Sequence, residues 1–312
     1  MRGAVSTLYY QRDMTQQLIA DRLGLSRPTV SRLIQEAQQQ GIVQITVVPA
    51  RGLHLELETE LEERFGLAEV LIVNVDSRRP AELSRQIGTA ASGYLARTMQ
   101  RGDTIGLSWG NTLNAMVQAM PAVPGEDLRI VQVLGGIGPP DAEAYAGDMV
   151  RRLAQQLGAS PVLLPAPGVV ATTGVRDALR RDPHVRTALA SHDKLDTVFV
   201  GIGSLKSNVV LNDGHSLPDG TLERLAAAGA IGDIALRFFD KDGQQVQTPL
   251  DKRILGITVD QLRRVRRVVA VAGGAEKLDA IHAGLRSGLV HVLITDHATA
   301  AALVSHKPRA TR

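Results

Sequence analysis

The spacing of apolar residues divides the chain into an N-terminal helical segment and a longer body in which strands and helices alternate. In the N-terminal segment, Leu18, Ile19 and Leu23 recur at the spacing of an amphipathic helix. A second helix is predicted from Arg27 to about Gln40, with its own apolar side chains turned toward the first. Two short helices, each with one apolar face, predict a small helical domain at the N-terminus.

The residues between these helices favour a tight turn. Gly24 can adopt the positive φ that a sharp turn requires. Ser26 suits an N-cap, and Pro28 falls in the first helical turn, where a missing amide hydrogen costs nothing. Ala20 is small enough to let the helices cross closely. This combination predicts a helix-turn-helix, which places its second helix in the major groove of DNA.

The outward face of this motif carries side chains that can donate hydrogen bonds to phosphates and base edges. An ordinary helical hairpin with a solvated polar face is the alternative. DNA binding is favoured because the small residue, the turn glycine, the cap and the polar face all agree. The residues assigned to double-stranded DNA are Thr15, Gln16, Arg27, Thr29, Ser31 and Arg32.

Further elements are predicted around the motif. An additional helix, N-terminal to the motif, is predicted over Val5–Gln11. A β-branched strand, which is a candidate wing, is predicted over Ile42–Val48, and residues 49–52 are predicted to form a linker. The helix Leu53–Phe65 has an apolar stripe that would either pack on its own domain or form an oligomer contact. The predicted domains are a DNA-binding domain over 1–51, a linker helix and candidate oligomerisation element over 52–66, and a longer domain over 67–306.

The body belongs to the α/β fold class. Short apolar, β-branched runs alternate with helical segments, which predicts a mostly parallel sheet covered on both faces. Ligands of such sheets bind at the carboxyl ends of the strands. The predicted strands are Val70–Val73, Thr104–Leu107, Arg129–Leu134, Pro161–Leu164, Leu195–Val200, Val268–Ala272 and Val290–Ile294.

Four of these strands end in loops of small residues: Gly106–Thr112, Gly135–Gly138, Gly201–Ser204 and Ala272–Ala275. Glycine lets the backbone approach a ligand, and the helix that follows offers N–H groups to an anion. One such loop is usually a plain turn, but four on the same sheet edge indicate a small-molecule site. The residues assigned to the effector are Gly106, Ser108, Trp109, Gly110, Asn111, Thr112, Gly136, Gly203, Asp233, Lys277 and Asp296.

Several of these assignments have a structural alternative. Trp109 is either a pocket wall or core packing. Lys277 stands out because the chain has only six Lys against 29 Arg, although a surface position is as well supported. Asp296 either accepts hydrogen bonds from sugar hydroxyls or caps the helix that follows. Asp233 either reaches the pocket or holds a loop.

Composition narrows the function further. The absence of cysteine excludes disulfides, thiolate catalysis and cysteine-ligated zinc, and the eight histidines show no metal-ligand spacing, so we expect no metal and no cofactor. Aromatic residues are few, which argues against recognition of single strands by stacking. We find no signal peptide and no apolar run of membrane-spanning length, and we expect a cytoplasmic protein.

Charge is distributed unevenly along the chain. Residues 1–51 hold six Arg and three acidic residues, whereas residues 53–64 hold five Glu and one Arg. A basic N-terminal segment before an acidic helix suits a DNA-binding domain joined to a segment that avoids phosphates. Three surplus positive charges are modest for DNA affinity, so we expect a dimer or larger assembly on DNA.

A hydrolase remains an alternative. The run Gly106–Gly110 matches the G-x-S-x-G pattern around a nucleophilic serine, here Ser108. Asp213 with His215, or Asp296 with His297, follow in the order a triad needs, but sequence neighbours rarely pair in this way. The segment Asp213–His215 is also similar to a catalytic segment of sugar-phosphate isomerases, although it lies far from the preceding Gly-x-Gly loop.

A set of motifs extends over nearly the whole length of the chain: Tyr9–Tyr10, Met14–Gln16, Leu25–Leu33, Gly106–Gly110, Gly201–Leu205, Gly229–Asp233, Ala272–Gly274 with Lys277, and Thr295–Asp296. With these motifs the chain resembles the SorC family of sugar-responsive bacterial transcriptional regulators. The resemblance implies an inactive effector domain similar to the sugar-phosphate isomerase and deaminase fold, a phosphorylated sugar as effector, and dimers or tetramers on operator DNA. It also implies that the loop Gly106–Thr112 meets the effector and that Lys277 helps to hold it.

Two positions depart from the family pattern. His297 stands where the family often has an acid, and Asn111 stands where many members carry a basic or other residue. The leading hypothesis is a DNA-binding transcriptional regulator whose operator affinity is set by a sugar-derived effector. The alternatives are a sugar-phosphate-processing enzyme or serine hydrolase with a DNA-binding domain, and a DNA-binding scaffold without a ligand.

Overall fold

The structure, a computed structural model, describes residues 1–40, 42–43, 54–75, 79–137, 146–206 and 220–306. It divides into two compact units, Met1–Arg51 and Gly52–Arg312. No helix within the described ranges is long and apolar enough to cross a membrane.

The α-helices are α1 Arg2–Ser6, α2 Gln16–Leu23, α3 Arg27–Gln39, α4 Leu55–Phe65, α5 Pro80–Thr98, α6 Asn111–Ala119, α7 Ala146–Leu157, α8 Thr173–Arg181, α9 Pro183–Ala190, α10 Thr221–Ala227, α11 Val259–Arg264, α12 Leu278–Arg286 and α13 His297–Ser305. The strands are β1 Glu69–Val73, β2 Thr104–Leu107, β3 Arg129–Gln132, β4 Ser160–Val162, β5 Thr197–Val200, β6 Gly203–Ser204, β7 Gly232–Ile234, β8 Arg237–Phe239, β9 Arg267–Val271 and β10 Val292–Asp296.

In the first unit, the predicted helix-turn-helix is confirmed. Gly24 ends α2 in the left-handed conformation, with φ 62°, and the Ser26 hydroxyl accepts the amide hydrogen of Thr29 at the start of α3. The core of this unit is formed by Val5, Ile19, Ala20, Val30 and Ile34.

Three details of this unit differ from the sequence-based expectations. Leu18 is 54% exposed, because the buried face of α2 is centred one residue further on, at Ile19. The predicted first helix is instead α1, followed by a π-helix over Thr7–Gln11. Ile42 and Val43 lie in a bend, while residues 44–53, which include the rest of the predicted wing strand and the linker, lie outside the described residues.

The second unit contains a parallel sheet with the strand order β1-β10-β9-β5-β2-β3-β4. Every predicted body strand is present, and its ends differ from the prediction by at most two residues. Successive residues of β9 enter opposite layers: Val268 and Ala270 join one apolar core, and Val269 and Val271 join the other. Burial on both faces explains why these strands are continuously apolar.

Helix α4 covers the sheet edge formed by β1. The carboxylates of Glu58 and Glu62 accept the backbone N–H groups of Ile72 (3.0 Å) and Val70 (2.9 Å). The spacing of two glutamates one helical turn apart is close to the spacing of alternate residues along a strand. The two carboxylates therefore bind backbone N–H groups of β1 that could otherwise pair with a strand of another chain. The apolar stripe of α4 packs on its own unit, with Leu61 fully buried, which favours the first of the two interpretations of this helix. Leu53 lies outside the described residues.

A second, antiparallel sheet of β6, β7 and β8 was not predicted. Its hairpin turns at Ala235 and Leu236, which both have positive φ (51° and 60°), an uncommon conformation for residues with a Cβ. The Asp233 carboxylate accepts a hydrogen bond from the backbone N–H of Leu236 at 3.0 Å, and this bond stabilises the turn. The small sheet continues directly from β5 and brings Asp233 to the carboxyl edge of the main sheet.

Candidate functional site

A cavity of about 220 Å³ lies at the carboxyl ends of β9, β5 and β2, three neighbouring strands at the centre of the main sheet. Ligands of open α/β sheets bind at this edge. Its walls come from five segments: the start of α5, the loop after β2, the loop from β5 into β6, the β7–β8 hairpin and the loop after β9. The residues that line it are Pro80, Leu83, Ser84, Ile87, Ser108, Trp109, Gly110, Asn111, Thr112, Leu113, Gly201, Ile202, Gly203, Ser204, Asp233, Ala235, Val271, Gly273, Glu276 and Lys277.

The loop after β2 presents a helix N-terminus to this cavity. Gly110 is the N-cap of α6, with φ 128°, and no side chain caps the helix. The N–H groups of the first turn, beginning with Asn111 and Thr112, therefore face the cavity edge without a capping oxygen. Such N–H groups and the helix dipole attract an anion. The Thr112 hydroxyl lies 3.4 Å from the hydroxyl of Ser84 and adds a second polar group.

The loop after β9 contributes two opposite charges. Lys277 and Glu276 both line the cavity, and in the described part of the chain Lys277 has no ion-pair partner. The backbone N–H of Lys277 donates to the Gly274 carbonyl at 3.0 Å, which closes the turn. Gly274 has φ 105°, a conformation that glycine adopts readily. The cavity thus offers a cation and a hydroxyl acceptor on the same loop.

Three predicted effector residues do not line the cavity in the described part of the chain. Gly106 lies within β2, where a Cβ would meet Val133 and Val198 at 2.7 and 2.8 Å, so the glycine serves the core beneath the site. Gly136 pairs with the backbone of Pro167. Asp296 is buried and caps α13, which confirms the helix-cap interpretation of this residue.

Asp296 nevertheless supports the cavity from behind. Its carboxylate accepts the N–H of Gly274 at 3.2 Å and the hydroxyl of Thr299 at 2.6 Å. Thr299 in turn accepts the same Gly274 N–H at 2.8 Å. Asp296 therefore fixes the loop that carries Gly273 and Lys277 without contacting the cavity.

Sequence reasoning missed the contribution of α5. Leu83, Ser84 and Ile87 line the cavity at the spacing of one helix face. The helix was predicted, and its position after the first body strand was a signal that it starts at the carboxyl edge. Which of its faces meets the loops depends on strand order, which the sequence pattern does not contain. Glu276 and Ala235 also line the cavity and were not predicted.

The predicted DNA-contacting residues lie at the starts of α2 and α3. Thr15 caps α2, accepting the N–H of Leu18 at 3.3 Å. Arg27 and Arg32 are exposed, whereas Gln16, Thr29 and Ser31 are half-buried. Arg32 has one weak ion pair, to Glu36 at 3.7 Å, with 70% of its side chain exposed. Its guanidinium is therefore available to a phosphate or a base edge.

The residues of the hydrolase alternative are engaged elsewhere. Asp296 holds Gly274 and Thr299, and the ring of His297 packs on His54 with 4.5 Å between ring centroids. Asp213 and His215 lie outside the described residues. Within the described ranges, no group of three or more His, Asp or Glu side chains is arranged to hold a metal ion.

Comparison with known proteins identifies the family. The full-length sorbitol operon regulator SorC from Klebsiella pneumoniae has a similar structure, with a TM-score of 0.77 and 30% identity over 97% of this chain and 98% of that one. A family model described as a sugar-binding domain matches residues 51–305. The chain belongs to the SorC family of sugar-binding transcriptional regulators.

Other comparisons agree with membership of the SorC family. A Crp-like helix-turn-helix model matches residues 4–64. The deoxyribonucleoside regulator of Bacillus subtilis is 32% identical over 96% of this chain and 95% of its own length. The erythritol catabolism regulatory protein EryD of Brucella abortus is 33% identical over 95% of this chain and 94% of its own length. Like its SorC-family relatives, this protein is a transcriptional regulator with a helix-turn-helix DNA-binding domain and a sugar-binding domain.

Proposed function

We propose that the cavity binds a phosphorylated sugar or polyol and that its occupancy sets the affinity of the protein for operator DNA. The observation that supports this most directly is the uncapped N-terminus of α6 in the same cavity as the Lys277 side chain. A phosphate placed there would accept backbone N–H groups from one loop and a charged hydrogen bond from the other. Asp233, Glu276 and Ser108 offer oxygens to the hydroxyl groups of the remainder of the ligand.

The relatives support a ligand with many hydroxyl groups. Their names refer to deoxyribonucleosides, which contain a five-carbon sugar, and to erythritol and sorbitol, which are short carbon chains with a hydroxyl on every carbon. A cavity of about 220 Å³ with acceptors opposite an anion site suits a small member of this class rather than an oligosaccharide.

We also propose that α3 reads DNA and that the active species is a dimer or a larger assembly. Arg27 and Arg32 would contact phosphates or guanine edges, with Thr29 and Ser31 beside them and Thr15 and Gln16 meeting the backbone at the start of α2. One such helix provides few contacts, so two copies on half-sites about one helical turn apart would provide useful affinity.

The experiment that tests the function starts from DNA. Fragments of the source genome retained by the purified protein at moderate salt are sequenced, and the complexes are then challenged with inorganic phosphate, 2-deoxyribose 5-phosphate, erythritol 4-phosphate and sorbitol 6-phosphate. We expect a few enriched sites with two-fold symmetric half-sites, and a change in affinity with one of the sugar phosphates but not with inorganic phosphate. Uniform retention of fragments, or no effect of any compound, would contradict the proposal.

Removal of the cavity's cation tests the phosphate. We expect Lys277→Ala to weaken binding of the responsive sugar phosphate about 10- to 100-fold, since a hydrogen bond to a charged group contributes about 1.5–3 kcal/mol. Titration of the fluorescence of Trp109, the single tryptophan of the chain and part of the cavity wall, measures this. The matched control is Lys252→Ala, an exposed lysine away from the cavity. Equal affinities for all three proteins would exclude Lys277 as a ligand contact.

Removal of an exposed arginine tests the DNA face. We expect Arg32→Ala to weaken operator binding by about 1–3 kcal/mol, the typical contribution of one arginine contact to a base or phosphate. Fluorescence anisotropy with a labelled operator fragment at fixed salt measures the affinity. Stability should be unchanged, because the side chain is 70% exposed and forms only a weak ion pair. An unaltered affinity at matched salt would remove Arg32 from the DNA interface.

A further inference from the structure

One side chain at the start of α4 contacts two segments that lead to the cavity. The Nε2 atom of His54 lies 2.8 Å from the amide oxygen of Asn74, and its ring packs on the ring of His297 with 4.5 Å between centroids and a 37° tilt. Asn74 directly follows β1, and His297 directly follows β10. These strands are parallel neighbours with Val73 opposite Asp296, so both segments leave the sheet at the carboxyl edge.

The His297 contact leads to the cavity through Asp296. Asp296 accepts the Gly274 N–H, and a Cβ placed on Gly273 would collide with its carboxylate. Gly273 lines the cavity, and Lys277 follows on the same loop. A ligand that draws this loop inward would therefore act directly on Asp296, the residue bonded to His297. No flexible segment intervenes, because Asp296 is buried and fully engaged.

The Asn74 contact leads to the opposite wall. Asn74 precedes α5 in the sequence, with residues 76–78 between them outside the described part of the chain, and the first turns of α5 carry Leu83, Ser84 and Ile87 into the cavity. His54 thus touches the segments that follow the edge strand β1 and its inner neighbour β10; the first precedes α5 in the sequence, and the second holds the loop after β9. A change in the distance between the two walls would change the distance between Asn74 and His297, and therefore the space between them that the His54 ring occupies.

His54 lies close in sequence to the end of the DNA-binding unit, at the one end of α4 that the hydrogen bonds of its glutamate and arginine side chains to the body do not hold. The later part of α4 is tied to the body: Glu58 and Glu62 bind the backbone of β1, and Arg64 donates to the carbonyls of Val304 and His306. His54 is the N-cap of α4 and has no side-chain capping bond of its own. Only residues 52 and 53 separate it in sequence from Arg51, where the DNA-binding unit ends.

We propose that His54, held between His297 and Asn74, is a positioning residue that couples occupancy of the cavity to the linker and so to the DNA-binding unit. This inference rests on the proposed function of the cavity. The ligand stabilises one separation of the two walls, and the His54 ring, at the start of α4 and next in sequence to the linker, follows. The ligand then shifts DNA affinity by its difference in affinity for the two arrangements, and DNA shifts ligand affinity by the same factor.

The test separates ligand binding from coupling. Full-length wild type, His54→Ala, His297→Ala and the double variant are each titrated with sorbitol 6-phosphate, erythritol 4-phosphate and 2-deoxyribose 5-phosphate, followed by Trp109 fluorescence. The affinity for a labelled operator fragment, selected from genomic DNA, is measured with and without the bound compound. The reverse direction is measured by repeating the Trp109 titration with the compound in the presence of saturating operator. His184→Ala, on the exposed surface of α9, is the matched control.

For wild type and His184→Ala we expect the compound to change operator affinity about tenfold, a typical coupling between sites. For the two single variants and the double variant we expect less than about a twofold change, with the Trp109 titration midpoint kept within about twofold. The double variant should lose no more coupling than either single one, because the contact between His54 and His297 is absent in all three. His297→Phe retains a ring against His54 and should keep the coupling.

Three results would overturn the inference. If His54→Ala and His297→Ala respond like wild type, the contact does not couple the sites. If both variants lose the Trp109 titration itself, the histidines support the cavity rather than its connection to the linker. If wild type shows no Trp109 response to any of the three compounds, the proposed function fails, and the coupling that rests on it fails as well.

Discussion

Replacing Gly88 by alanine should destabilise the sugar-binding unit by about 3 kcal/mol, the upper part of the range for overpacking in a close-packed interior. Gly88 lies in α5 where this helix crosses α6. A Cβ at this position would lie 2.6 Å from the backbone nitrogen of Met116 and 2.8 Å from the Cβ of Ala115. Both neighbours are fixed in α6, so the helices themselves would have to separate.

The same helix supplies the control. Gly93 is exposed, and a Cβ placed there meets no atom within 4 Å. Gly93→Ala should therefore stabilise the protein by about 0.5–1 kcal/mol, since alanine is the better residue in a helix interior. Urea denaturation of both variants, followed by circular dichroism, measures the two opposite changes. If both substitutions shift stability in the same direction, the close crossing of α5 and α6 is not what the glycine provides.

The Gly88 substitution should also affect the ligand. Helix α5 provides Ser84 and Ile87 to the cavity, and α6 provides its first turn, with Asn111 and Thr112. Separating the helices widens the space between these walls, so the affinity for the sugar phosphate should fall together with stability. Operator binding by the first unit, Met1–Arg51, should persist under conditions in which the variant remains folded.

The second large effect concerns a buried ion pair beside the small sheet. Asp251→Ala should cost about 3–5 kcal/mol, because it leaves the buried charge of Arg237 without its partner. Arg237 is 7% exposed, and its guanidinium lies 3.5 Å from the Asp251 carboxylate. Its Nε atom donates to the carbonyl of Ile257 at 2.8 Å. Burial lowers the pKa of Arg237, and the charge of Asp251 acts in the opposite direction.

Asp251 has a second role that adds to this loss. Its carboxylate accepts the N–H of Thr248 at 2.8 Å and closes a capping box at a short 3₁₀-helix over Pro249–Arg253. The matched control is Asp260→Ala, whose partner Arg263 is exposed, and we expect a change within about 0.5 kcal/mol. Thermal and urea denaturation compare the two variants. Similar losses for Asp251→Ala and Asp260→Ala would show that the buried pair is not important for stability.

Disruption of this pair should also affect the cavity. Arg237 begins β8, directly after the turn at Ala235 and Leu236, and Ala235 lines the cavity. The turn has two residues with positive φ and persists because its surroundings hold it. The Asp251→Ala variant should therefore bind the sugar phosphate more weakly even at temperatures where it remains folded.

Much of this architecture follows from local patterns. The parallel strands are apolar on both faces, so short runs such as Thr104–Leu107 and Val268–Ala272 stand out within a few residues of their observed ends. The turn at Gly24 and the cap at Ser26 are likewise local, since each depends on the φ angle or hydrogen bond of one residue. Eight of the eleven predicted effector residues line the cavity, because strand ends on one edge of a parallel sheet must converge.

The sequence by itself therefore determined the two kinds of domain, the strands, the helix-turn-helix and the sheet edge where a ligand would bind. Only the tertiary structure decided the strand order, the face of α5 that lines the cavity and the small antiparallel sheet that carries Asp233. It also placed Gly106 in the core and Asp296 behind the glycine loop. Local periodicity reports which side of an element is buried, but the partner of that side depends on contacts between distant segments, and these exist only once the chain has folded.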